Sequence, residues 1–426
     1  MKRSHAGYRV VYPMLIGLVV ILTSAISLAD PFTPGNLVVY RVGDGQQQLA
    51  NTGAAVFLDE YTPSGTLVQS IGLPTVASGA DNPLITSGTA VSEGLLTRST
   101  DGRYLLLTGY ATTLPATVSL SGTAAATVPR TVGVVGFDGS IDTSTALTDF
   151  ADGNNPRSAA STDGTHLWVG GADGGVRYTL LGNSTSTQLS TDSKNIRAVA
   201  IFDGQLYASS QKTTIRVATV GVGTPTTAGQ SITNLPGFPV TGAPDAFFFA
   251  DLDGSPGVDT LYVADDTTGG GQIQKYSLVS NSWIANGIID AANVHGLTGV
   301  VSGTAVALYA TTSGLDGTSG TLYTFTDTGG YAENVSGAVT TLATALTHEA
   351  FRGVTLAPVG APSACVGDCG NHGQVGGNDL ITMLHIALGA SPLSECSNGD
   401  ADKNGAITVN EIIAALNNVP DGCPGG

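Results

Sequence analysis

A strand–turn–strand unit recurs along residues 36–358, and it limits this chain to a fold made of repeated small sheets. Each copy has an apolar strand, a short turn that often contains Asp-Gly, and a second strand with aromatic or β-branched residues. The clearest copies are EGLLTRSTDGRYLLLTGY (93–110), RSAASTDGTHLWVGG (157–171) and IRAVAIFDGQLYASS (196–210). FFFADLDGSPGVDTLYVAD (247–265) and LTGVVSGTAVALYATT (297–312) follow the same plan, and two more strand-like stretches come after each, such as QIQKYSL (272–278) and SWIANGII (282–289). Asp-Gly supplies the tight hairpin turn, and Val and Thr suit a pleated, half-buried surface. Four strands per unit, with first strands near 94, 157, 196, 246 and 296, is the plan of a propeller blade at a spacing of about 40 to 60 residues.

The ends of this region fit the same plan. FRGVTLAP (351–358) reads as a first strand with nothing after it, and NLVVYRVG (36–43) as a second strand with nothing before it. AVFLDEYTPSGTLVQSIGLP (55–74) supplies a third and fourth. Together they make one composite blade, which joins the ring and removes its free edges. The expected fold class is therefore mainly β: a β-propeller of six blades over 36–358, with a small α-helical pair at the C-terminus. Seven blades stay open, because 75–92 and 111–130 have room for strands. A β-sandwich or β-helix is the alternative, and regular four-strand units over this length argue against it.

Residues 1–29 read as an export signal. Lys2, Arg3 and Arg9 precede an apolar run at 10–22, and Ser27-Leu28-Ala29 offers small residues for cleavage after Ala29. A retained anchor is the alternative, although the run is shorter than a usual span. Removing 1–29 takes away three of the 16 basic residues and none of the 33 acidic ones, leaving 13 against 33, a formal charge of −20. That argues against nucleic acid and anionic membrane surfaces as partners. The expectation is a secreted, extracellular bacterial protein with no membrane span after cleavage.

The C-terminal segment carries the sharpest chemistry. D-A-D-K-N-G-A-I-T-V-N-E at 400–411 matches a twelve-residue EF-hand calcium loop. Asp400, Asp402 and Asn404 occupy positions 1, 3 and 5, and Gly405 the sharp turn at position 6. Ala406 offers a carbonyl at position 7, Thr408 stands at position 9, and Glu411 closes the loop with two oxygens at position 12. Calcium prefers six to eight hard oxygen ligands, and this spacing delivers them. A second loop, 368–379, keeps only Asp368 and Asp379 as carboxylates and is expected to bind weakly or not at all. Apolar residues after each loop fall at helical spacing: Leu380, Met383, Leu384, Ala387 and Leu388, then Ile412, Ile413 and Leu416. Two helices packed face to face would bury these stripes. All four cysteines, Cys365, Cys369, Cys396 and Cys423, lie in this module, and an exported chain would pair them. Sequence alone allows three connectivities, with Cys365–Cys423 and Cys369–Cys396 plausible if the module's ends meet. Residues 359–364 read as a linker and 365–423 as the module.

Two resemblances follow from these motifs. Residues 36–358 resemble exported bacterial propeller proteins with degenerate repeats, which implies a fold and little about function. V-G-D-C-G-N-H-G with N-D-L-I-T-M-L, paired with the loop at 400–411, resembles the type I dockerin, a duplicated loop–helix calcium module. That resemblance implies Ca2+ as the bound ion. It implies a cohesin-like protein or a cell-surface partner, in the setting of polysaccharide breakdown. Cysteines are not usual in that module.

Weaker constellations lie in the repeats. Asp251, Asp253, Ser255, Gly257 and Asp259 sit at positions 1, 3, 5, 7 and 9 of a loop similar to the calcium loop of integrin-type propeller blades; a polar turn is the plainer reading. Arg157, Arg197 and Arg352 stand at one offset near the starts of first strands, with His295, His348, Glu93 and Asp245 near the same face. Such arginines bind a carboxylate or another anion, or tie neighbouring blades together. No G-x-S-x-G, H-E-x-x-H, phosphate loop or dinucleotide fingerprint is present. The expected function is calcium-dependent, non-catalytic binding or scaffolding of a carbohydrate or anionic ligand. The alternative is a propeller lyase, lactonase or hydrolase.

Overall fold

The computed structural model describes Met1 and residues 29–267, 272–291, 293–314, 319–360, 365–370, 374–401 and 404–421. The expected export signal lies outside these residues apart from its two ends, as do 361–364 of the expected linker. None of the described helices is long and apolar enough to cross a membrane.

Six four-stranded antiparallel sheets follow one another around a ring. The first blade is the composite one. Ala350–Leu356 pairs with Leu37–Val42, which pairs with Val56–Tyr61 and then Leu67–Gly72. Leu37 faces Leu356 and Val39 faces Val354 across the closing pair. The inner strands of blades 2 to 6 are Thr97–Arg98, Pro156–Ser161, Val199–Phe202, Pro244–Ala250 and Val294–Ser302. The inner strand of blade 2 has only two residues because its backbone is diverted to its neighbours. The N–H of Leu95 donates to Arg157 on blade 3 (3.1 Å), and the carbonyl of Gly94 accepts from Gly353 on blade 1 (2.9 Å).

Among the described residues there is no seventh blade. Segment 75–92 contributes only isolated bridges, such as Ile85 to Tyr110 and Thr86 to Ala54, and segment 111–130 runs as irregular backbone until the strand Arg130–Gly136 begins. Their apolar residues fill a separate small core of Ile85, Tyr110 and Leu120. Arg130 is fully buried and fixes the second segment by donating to the carbonyls of Thr123 (2.6 Å) and Ala151 (2.8 Å). Asp-Gly turns behave as their chemistry dictates. At 203–204 both residues have positive φ, +46° and +68°, the pair required by a type I′ hairpin.

The cores lie mainly between blades. Phe247 and Phe249 of blade 5 pack with Tyr207 of blade 4, and Trp168 of blade 3 packs with Ile196 and Leu206. Lys275 is fully buried and is matched by Asp327 at 2.7 Å, with a second bond to the carbonyl of Gly330. An unmatched ammonium in that position would be strongly destabilising.

The C-terminal element has two helices, α1 (Gly377–Ala387) and α2 (Val409–Asp421). Their core corrects the expected stripes. Met383, Ile386 and Ala415 are buried, with Leu380 and Ile412 packed against them. Leu384, Leu388, Ile413 and Leu416 are exposed, as is Ala387. The apolar residues of α1 cover more than half its circumference, so periodicity could not say which of its arcs turns inward.

Closure predicts an asymmetry in tolerance. Val354 on the closing strand is 1% exposed, whereas Ile284 on an outer strand is 48% exposed. Val354→Asp is expected to destabilise by about 4 kcal/mol or more, because it buries an unpaired carboxylate in the ring seam. Ile284→Asp should stay within about 0.5 kcal/mol. Urea melts of both variants decide this.

Candidate functional site

Blades 3 to 6 each deliver a side chain to the end of the channel at which their inner strands begin. Arg157, Asp245 and His295 lie at the starts of their strands, and Arg197 lies two residues before Val199–Phe202. None of the four is more than 6% exposed. Asp245 is the hub. Its Oδ1 meets Arg197 Nη1 at 3.2 Å, and its Oδ2 meets His295 Nδ1 at 2.7 Å. Burial alone would raise the Asp245 carboxyl, but Arg197 and His295 outweigh it and hold the group below its ordinary 3.8. Asp266 lies 3.9 Å from Arg197 Nη2, and burial raises its carboxyl above the ordinary range.

Arg157 is placed differently. Its Nη1 donates to Asn195 Oδ1 (2.9 Å) and to the carbonyl of Ile196 (3.0 Å), while its Nε has no partner; the Nε of Arg197 is also unmatched. No carboxylate pairs with Arg157 among the described residues. Burial, and then the neighbouring Arg197, pull its guanidinium down to about 10, which still leaves it charged at neutral pH. Lys194 and Lys212 lie on turns that meet where Ser193 and Ser210 approach at 3.4 Å and Ser210 donates to the carbonyl of Asn195 at 2.7 Å. This end of the channel thus sets Arg157, Arg197 and His295 among the carboxylates of Asp245, Asp266 and Glu93.

Arg352 does not join that group. Its guanidinium donates to the carbonyls of Ala90 (3.0 Å) and Gly88 (3.3 Å) and to Ser313 Oγ (3.1 Å), which pins segment 75–92 to the closing strand. Glu93 accepts from Tyr110 and Thr86, both at 2.7 Å, and from Asn155. His348 is exposed in the turn before Ala350–Leu356, with its carbonyl against Gly43. Sequence reasoning missed Asp266 and Asn195. Both sit in turns and reach the group only when neighbouring blades assemble.

Among the described residues two groups have donor atoms close enough to hold a divalent cation. In Asp245, Asp266 and His295 the ligand atoms lie within 4.8 Å of one another, but Arg197 already supplies a cation there. The second group is Asp251, Asp253 and Asp259. Buried Asp259 accepts the N–H of Leu252 (2.9 Å) and Asp253 (2.6 Å), and Asp253 accepts the N–H of Ser255 (2.7 Å). Ser255 is exposed, and Gly257 has a φ of +112°.

The two C-terminal loops share one bonding scheme. In 400–411, Glu411 accepts the N–H of Ala401 and of Thr408, each at 2.7 Å. In 368–379, Asp379 accepts the N–H of Cys369 (3.2 Å) and of Gly376 (2.8 Å). In both loops the position-12 carboxylate therefore reaches back to positions 2 and 9. Asp400 accepts the N–H of Asn404 (3.0 Å) and of Gly405 (2.8 Å), and Gly405 has the positive φ, +89°, that position 6 requires. Asp368 and Glu411 are buried, while Asn404, Ala406 and Thr408 are exposed. Asp402 lies outside the described residues. Cys369 and Cys396 form a disulfide. Cys365 is also disulfide-bonded, and Cys423 lies outside the described residues.

No family model matches this sequence, and no curated protein matches it. Solved structures do. A putative 6-phosphogluconolactonase from Bacteroides fragilis is 14% identical, with 74% of this chain and 82% of that chain covered and a TM-score of 0.40. The nidogen/laminin complex is 11% identical over 76% and 98%, with a TM-score of 0.43. Kuenenia stuttgartiensis hydrazine synthase is 13% identical over 62% and 68%, with a TM-score of 0.36. At this level of likeness none of them bears on what the chain binds or does.

The depressed Asp245 carboxyl has a defined pH signature. Its contribution to stability is complete above the ordinary carboxylate value of 3.8 and is lost as pH falls through the lower folded value. Asp245→Asn is expected to cost about 3 kcal/mol at neutral pH, because it leaves Arg197 buried against Asp266 alone. The difference from the parent chain should shrink below about pH 4. Urea melts at several pH values test this, and a constant difference would refute it.

Proposed function

We propose that the chain is an exported, non-catalytic binding protein that docks onto a partner protein through its C-terminal loop–helix pair. One observation carries this reading. On α1 the side chains of Ile381, Leu384 and Leu388 are exposed at i, i+3 and i+7, and on α2 those of Val409, Ile413 and Leu416 are exposed at i, i+4 and i+7. Apolar stripes left in water on both helices of so small an element are what a protein partner covers. A cohesin-type domain, or another cell-surface protein with a matching apolar face, is the partner chemistry that fits.

Calcium supplies the fold of this element in the same reading. Asp400, Asp402 and Asn404, the carbonyl of Ala406, Thr408 and bidentate Glu411 would hold the ion, with Thr408 acting through water. The bonds from Glu411 to positions 2 and 9 already bring the two loop ends together. Ion binding would neutralise clustered carboxylates and fix the helix pair. The first loop has too few carboxylates for an equal site, and the Cys369–Cys396 bridge substitutes a covalent restraint.

For the propeller, the Arg157–Arg197 end of the channel supports an anionic ligand. A carboxylate there would give Arg157 the partner it lacks and use the unmatched Nε atoms. Carbohydrates bearing such a group fit the same chemistry.

Calcium titration by calorimetry tests the loop. Glu411→Gln in the full chain is expected to weaken Ca2+ at least about tenfold, and an unchanged isotherm would remove calcium from the reading. For docking, Leu384→Asp and Ile413→Asp should abolish capture of the full chain by an immobilised cohesin-type domain and leave the calcium isotherm unchanged. Equal capture of parent and variants would show that these stripes are not the docking face.

A further inference from the structure

Further along the channel, at the last residues of the inner strands of blades 1 to 4 and midway along those of blades 5 and 6, lies a cavity of about 320 Å3 lined by residues from all six blades. That volume lies within the usual range for small-molecule sites. Its chemistry is divided across the ring. Blade 2 contributes Arg98. Blades 4 and 5 contribute Phe202 and Phe248, whose rings meet edge to face at 5.9 Å. In a six-blade ring blade 5 stands opposite blade 2, so the guanidinium and the Phe248 ring occupy opposite walls. Gly299 on blade 6 makes room for that ring, because a Cβ there would come within 2.7 Å of Phe248 Cε1.

Arg98 is a half-buried cation whose hydrogen bond is to a backbone carbonyl, that of Ala357 at 3.1 Å. Among the described residues no carboxylate pairs with it. Other arginines of the propeller are matched by carboxylates, Arg41 by Asp59, Arg177 by Asp149 and Arg197 by Asp245, or spend several donors on backbone carbonyls, as Arg130 and Arg352 do. The nearest acid on the cavity wall, Asp203, is on an exposed turn of blade 4, two blades away. Thr298 and Thr355 also line the cavity, and their hydroxyls make no hydrogen bond to described protein groups. The remaining wall hydroxyls are already used: Thr97 donates to Ala159 and Ser161 to His166, both at 2.6 Å.

We propose that this cavity binds a small organic carboxylate with an aromatic or apolar body. The carboxylate would sit on Arg98, with Thr298 and Thr355 as further donors, and the body would lie against Phe248 and Phe202. A guanidinium offers two parallel N–H groups to a carboxylate, which selects it over a neutral amide of the same shape. The aromatic wall selects it over a bare anion. This site is separate from the Arg157–Arg197 end and from the C-terminal helix pair, and it does not rest on either reading.

Benzoate, benzamide and inorganic phosphate are the probes, titrated into the full chain by calorimetry or ligand-observed NMR. Saturable benzoate binding is expected, with benzamide and phosphate each at least about tenfold weaker. Arg98→Met should weaken benzoate by about tenfold or more and leave benzamide unchanged. Phe248→Ala should weaken benzoate and benzamide alike. Arg98 also tethers Ala357, so a thermal melt of Arg98→Met comes first. If that variant does not fold, the benzoate-to-benzamide ratio and Phe248→Ala decide the matter. No saturable benzoate binding, equal binding of benzoate and benzamide, or a folded Arg98→Met that binds benzoate as tightly as the parent overturns the proposal.

Discussion

The pairing of Ala350–Leu356 with Leu37–Val42 is the interaction on which everything else in the propeller depends. Without it, blade 1 would lose its inner strand and the ring would end in two open edges. The channel would open too, since its cavity is lined by residues from all six blades. Arg352 extends the seam by holding the carbonyls of Gly88 and Ala90, so the long segment between blades 1 and 2 depends on closure as well. Blade 2 depends on it more directly, because its short inner strand borrows hydrogen bonds from blades 1 and 3. Hydrogen-bonded strands, the apolar residues between blades and an ion pair of Arg41 with Glu349 at 3.1 Å close the circle.

The distribution of charge follows from scarcity. Only 13 basic residues remain beyond position 29 in a chain with 33 acids. Most are tied to structure: Lys275 to Asp327, Arg41 to Asp59, Arg177 to Asp149, and Arg130 to backbone carbonyls. The surplus negative charge is left on the surface, where water and salt screen it. Against that background a buried or half-buried guanidinium without a carboxylate stands out. Arg157 and Arg98 are two such residues, and they lie at different depths of the same channel.

Much of this was legible in the sequence. Alternating apolar runs with Asp-Gly turns set the four-strand unit, and the unpaired strands at 36–43 and 351–358 revealed the closure. The pair of C-terminal helices after the loops at 368–379 and 400–411 was legible too, because apolar residues recur there at helical spacing. Three things were not legible, each for a physical reason. Residues 75–92 and 111–130 are apolar enough for strands, but Ile85 and Leu120 satisfy their burial against each other in irregular backbone. In α1 the residues Leu380, Ile381, Met383, Leu384, Ile386 and Leu388 cover too wide an arc for periodicity to choose an inner face. Asp266, Asn195 and Arg98 acquire their surroundings from other blades, and nothing local encodes that.

Closure also sets a clock. The strand at 350–356 emerges more than three hundred residues after its partner at 37–42. At a synthesis rate of about 5–20 residues per second, the first sheet waits roughly 15–60 s with an unsatisfied backbone edge. During that interval the growing chain is a template for wrong pairing with any other strand that it meets. A polypeptide that cannot finish its ring until its last strand appears also remains threadable for that time. The same late pairing that seals the native state keeps the nascent chain open for as long as it is being made.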